Sequence, residues 1–136
     1  MTDVSEIEQR ILSEMEELRF DNIFSIINTV IDPTGYTVEI AEFADALRHL
    51  ISQNFIDVRI EGFSPRDPEL LTPHKLQELL TSFSDWFRFD SRRSLWTLKV
   101  GDLKTTRIPV IVVTPKGLLE ARRLLAAQGY QWWRQK

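Results

Sequence analysis

A chain of 136 residues, 43% hydrophobic and 27% charged, is long enough to bury the core of one domain and is too apolar for wholesale disorder. It has no cysteine, which removes disulfides, thiolate nucleophiles and thiolate metal ligands. The net charge of −3 hides a split: residues 1–50 hold eleven Asp/Glu against three Lys/Arg, and residues 51–136 hold fourteen Lys/Arg against nine Asp/Glu.

Ser5 followed by Glu8 forms a capping-box pattern, and Ile7, Ile11, Leu12, Met15 and Leu18 then recur at helical spacing. Ile23, Ile26, Ile27, Val30 and Ile31 continue that rhythm, so residues 5–31 read as one helix or as two with a break near Phe20, Asp21 and Asn22. The turn Asp32-Pro33-Thr34-Gly35 closes the segment. Thr37 is placed to cap a third helix to about Gln53, with Ile40, Phe43, Ala44, Leu47, Leu50 and Ile51 on its buried face. Residues 55–60 alternate as a strand.

Two prolines make residues 64–68 a loop, and Thr72-Pro73 opens a fourth helix whose apolar stripe runs from Leu76 to Phe87. Residues 94–113 predict a β-hairpin. A two-residue turn would set Lys99 against Lys104, whereas a three-residue turn from Gly101 to Leu103 sets Trp96 opposite Ile108 on one apolar face. Pro109 predicts an unpaired side on the second strand, at an edge or a bulge. Thr114-Pro115 then starts a closing helix that Gly129 ends, leaving an aromatic tail of residues 130–136.

This order of elements resembles the winged-helix superfamily. Residues 40–60 look like the helix that feeds the first strand, residues 95–113 look like the wing, and Val112-Val113-Thr114-Pro115-Lys116-Gly117 resembles the junction from wing to closing helix in MarR- and PadR-like regulators. The likeness implies a single α+β domain over 1–136: N-terminal helices, a short antiparallel sheet with a hairpin wing, an inserted helix and a C-terminal helix. It also implies DNA binding by the third helix and the wing.

Read as residues, the cations offered to such a duplex are Arg48, Arg92, Arg93, Lys99, Lys104 and Arg107, with Arg88 close by. Glu39, Glu42 and Asp45 on the third helix would repel phosphates. The adjacent Trp132 and Trp133, with Tyr130, point instead to a protein–protein surface: in an extended tail only one indole can turn inward. The first expectation is therefore a non-enzymatic interaction domain or homodimeric adaptor, and the second a DNA-binding regulator. His49 lies one turn after Asp45 and reads as half of a surface pair. Neither HExxH nor a metal-ligand spacing nor a phosphate-binding glycine loop occurs, so no catalytic residue, metal or cofactor is predicted. No apolar run approaches the roughly 20 residues that span a bilayer. The first residues lack the order of a secretory signal, so the expected location is cytoplasmic.

Overall fold

The computed structural model describes residues 4–61, 69–101 and 106–134. Helix α1, Glu6–Leu18, starts at the expected capping box, with the Glu8 backbone donating to Ser5 Oγ and the Ser5 backbone donating to the Glu8 carboxylate. The segment 5–31 is two helices. Arg19 takes a left-handed φ of 67°, its N–H donates to Met15 O, and the chain leaves as the short strand β1, Phe20–Asn22. Asn22 then caps α2, Ile23–Val30, accepting from Ser25 N.

Helix α3, Val38–Ser52, lacks the cap assigned to Thr37, which is itself helical and makes no side-chain cap bond. The Glu39 carboxylate holds the turn instead, accepting from the N–H groups of Thr34 and Gly35 at 3.0 and 3.1 Å. Strand β2 is Ile56–Glu61, and the two-residue β3, Glu69–Leu70, pairs with it. Helix α4, Pro73–Thr81, opens at the Thr72-Pro73 cap but stops short of Phe87: a 3₁₀ turn over Phe83–Trp86 leads into β4, Phe87–Asp90. Strands β5, Leu95–Leu98, and β6, Ile108–Val113, precede α5, Pro115–Gln128.

The pairing departs from the expected hairpin. β5 pairs with β4, placing Trp96 opposite Phe89 rather than Ile108. β6 joins the other sheet, whose order is β1-β6-β2-β3, all antiparallel. The physical reason is aromatic packing: Phe87, Phe89 and Trp96 stack edge-on, and Phe87 meets Phe24 and Phe83 at 5.1 and 5.3 Å. No such cluster forms if Trp96 sits on Ile108. Pro109 is not on an edge strand, since β6 is flanked on both sides, yet β1 reaches only to Val110 and leaves Pro109 without a β1 partner.

One apolar core unites these parts. Ile11, Leu12 and Met15 of α1, Ile27 of α2, Leu47 and Leu50 of α3, Ile111 of β6 and Ala121 of α5 are wholly inaccessible. The junction that carried the family resemblance has a clear physical basis. Thr114 accepts the Gly117 N–H as the α5 cap while its hydroxyl donates at 2.6 Å to Asn54 O. Gly117 is buried against the Phe55 carbonyl, where no side chain fits.

Candidate interaction surface

Of the residues predicted to touch DNA, Arg92, Arg93 and Lys99 lie on one hairpin, and Arg48 and Arg107 are held on other elements. Arg48 lies in a cleft of about 340 Å³ between α3 and α4, with Ala44, Leu80 and Phe83, and is tied to Asp45 at 2.9 Å. Arg107 donates to Ile60 O at the end of the sheet. Lys104 falls outside the described residues. Helix α3 is covered on both flanks, by the core on one side and by Leu80 and Phe83 on the other. Its remaining exposed strip includes Val38, Ala41, Glu42 and Asp45, with no cation among them.

The β4–β5 hairpin does gather cations. Cross-strand partners share a face, so Phe87, Phe89, Trp96 and Leu98 point inward while Arg88 and Thr97 point outward, with the exposed Lys99 following on the same side. Arg92 and Arg93 sit in the connecting turn, where Asp90 Oδ1 accepts both of their backbone N–H groups. Arg88, Arg92, Arg93 and Lys99 are exposed, and none makes an ion pair among the described residues. Arg88 belongs to this group as firmly as the other three; its position opposite Thr97 depends on a pairing that local spacing does not reveal.

The hairpin is held rigidly. Asn28 of α2 acts as a stand-in strand for β5: its Oδ1 accepts the Trp96 N–H at 2.8 Å and its Nδ2 donates to Trp96 O at 2.7 Å. The Trp96 indole donates to Glu39 Oε1 at 3.3 Å.

The premise of an extended aromatic tail does not hold. Residues Trp132–Arg134 form a 3₁₀ turn folded back on the N-terminal helices. Trp133 donates to Thr29 O and carries the Arg10 guanidinium 5.5 Å from its ring centre, while Trp132 donates to Glu6. Arg134 donates to the carbonyls of Asn28 and Thr29, satisfying the end of α2. Both indoles are therefore engaged within the chain. Tyr130 stays 55% exposed, and its phenol is pushed above the usual value of 10, chiefly by the Glu14 carboxylate and then by partial burial and Glu17. Leu18, Phe20 and Leu119 are also exposed, on α1, β1 and α5, where α1 packs on both the others.

His49 pairs with Glu8 of α1, and Asp45 is taken by Arg48. Ser5, Glu8 and His49 thus meet, but the carboxylate stands between hydroxyl and imidazole. A base that activates a nucleophile must touch it, and here the imidazole does not. Among the described residues no group of three or more His, Asp or Glu is arranged to hold a metal, and no helix is long and apolar enough to cross a membrane. No family model, curated protein or solved structure matches the chain.

Proposed function

We propose that this chain is a winged-helix-like, non-enzymatic domain that works by binding another polypeptide. With β3, α4, β4 and β5 set aside as an insertion, the winged-helix likeness draws support from the order α1, β1, α2, α3, β2, β6, α5, with β6 lying between β1 and β2. The described elements between β2 and β6 in the chain, β3, α4, β4 and β5, then stand where a wing would. The observation that carries the binding reading is the state of α3. Its flank is covered by Leu80 and Phe83, and its open strip carries Glu42 and Asp45, which would lie against phosphates in a reading helix. A second copy of the chain is the simplest partner, through the exposed Leu18, Phe20, Leu119 and Tyr130.

The alternative is a DNA-binding regulator, and the cationic hairpin is the feature that favours it. Anisotropy of a labelled random duplex at low salt separates the two. The expected result is no saturable binding at micromolar protein. Tight binding that collapses as salt rises would overturn the protein-binding reading. Sedimentation over a range of concentrations tests the second copy, with a mass that rises toward the dimer as the expected outcome.

A further inference from the structure

The backbone phase of the β4–β5 hairpin leaves one edge open. Lys99 N–H donates to Trp86 O, so the pairs Trp86/Lys99, Arg88/Thr97 and Asp90/Leu95 exchange hydrogen bonds across the ladder. Phe87, Phe89, Trp96 and Leu98 must then turn their backbone groups away from it. On the β5 side this is visible directly, because Trp96 N–H and C=O meet the Asn28 amide. On the β4 side the Phe87 N–H turns back to Ser84 O, and the N–H and C=O of Phe89 have no partner among the described residues. An unpaired strand edge is a template for an added strand.

The same strand edge borders the cationic face. Arg88 projects outward from the middle of β4, with Arg92 and Arg93 in the turn beyond it and Lys99 across the sheet. Asp90, the one carboxylate within the hairpin, is already accepting the turn's backbone N–H groups.

We infer that the free edge of β4 accepts an extended acidic segment of a partner protein as a third strand of this sheet. Its backbone pairs with Phe89, and its carboxylates face Arg88 and the turn arginines. This rests on the protein-binding reading above. Charge selects an anionic occupant, and its extent selects a peptide over a nucleic acid. The cations span roughly 17 Å, about five strand residues. A duplex carries a charge about every 1.7 Å and continues past that span.

The test uses the full chain and a fluorescent peptide of about ten residues that alternates glutamate with threonine and valine, the length of a long strand. Binding is read by anisotropy at low salt. The double variant Arg88→Glu/Arg92→Glu should weaken it at least about tenfold, and so should methylation of alternate backbone nitrogens of the peptide, which removes the strand-pairing donors. Both altered side chains are exposed, so an unchanged circular dichroism spectrum is expected of the variant. Equal binding by the double variant, or of the methylated peptide, overturns the inference. No binding of the peptide together with none of duplex DNA also overturns it, while the protein-binding reading stands. Preferential binding of an oligonucleotide that the double variant loses overturns both. A salt-sensitive dimer of the chain alone that the double variant abolishes identifies a second copy as the occupant and refutes the foreign acidic segment.

Discussion

Substituting Gly117 by alanine should reverse the sign that helix propensity predicts. In an unobstructed helix the change stabilises by about 1 kcal/mol. At this position the added Cβ would lie 2.0 Å from Phe55 O, 2.8 Å from Phe55 C and 2.9 Å from Val113 Cγ2. Carbon atoms approach carbonyl oxygens to about 3.3 Å even in close contacts, so α5 and the 53–55 turn must separate by more than about 1 Å. That movement breaks the clasp between them. Thr114 N–H donates to Phe55 O at 3.0 Å, the Thr114 hydroxyl to Asn54 O at 2.6 Å, and Lys116 Nζ to Gln53 O at 2.8 Å. Three hydrogen bonds at about 1 kcal/mol each, plus the strain of overpacking, outweigh the propensity gain and leave a net loss of about 2–4 kcal/mol. Urea unfolding followed by tryptophan fluorescence measures it. Gly129→Ala is the control: nothing lies within 4 Å of its added Cβ, and only its φ of +88° penalises alanine. With ψ at 164° that backbone lies in a region essentially confined to glycine, and the cost should be about 1–3 kcal/mol. A Gly117→Ala chain as stable as the parent would refute the close-approach reasoning.

Asn28→Ala removes both partners of the Trp96 backbone and should cost about 2 kcal/mol, with loss of the near-ultraviolet dichroism that a fixed Trp96 contributes. A change of a few tenths would mean that water replaces the amide. Deleting residues 130–136 removes the Trp132, Trp133 and Arg134 bonds to the N-terminal helices. The shortened chain should unfold at lower urea by about 2–4 kcal/mol, and an unchanged midpoint would show that the tail contributes nothing to the fold. In a Tyr36→Phe background the remaining phenol, Tyr130, should titrate above 10 by absorbance and move down in Glu14→Gln. Because its folded pKa is raised, the associated stability is fully present below the unfolded value near 10 and is lost as pH climbs through the folded value; Tyr130→Phe should flatten that decline.

Local chemistry was enough to place most helices. The Ser5/Glu8 capping box, the Thr72-Pro73 and Thr114-Pro115 starts and the Gly129 stop all appear where short-range hydrogen bonding and proline geometry require them. The interface and nucleic-acid candidates were less readable. Tyr130 remains exposed, Trp132 and Trp133 bond within the chain, and of the proposed DNA cations among the described residues Arg92, Arg93 and Lys99 lie on one hairpin while Arg48 and Arg107 do not.

What the sequence alone determined, then, is a cysteine-free α+β chain with helices starting near Ser5, Thr37, Thr72 and Thr114 and an acidic strip on the one that follows Thr37. These depend on periodicity, caps and charge, which act within a few residues. The tertiary structure decided which strands meet. Trp96 and Ile108 alternate in the right way for a hairpin, and no local rule forbids it. The choice of Phe89 as partner comes from Phe24, Phe83, Asn28 and Glu39, which lie far off in sequence and come together only in the folded core. Strand pairing has a period of two and many equivalent registers, so it is fixed by what the opposite face can bury. The same long-range choice set Arg88 and Lys99 on one outward face, with Arg92 and Arg93 in the adjoining turn, and left the edge of β4 open beside them.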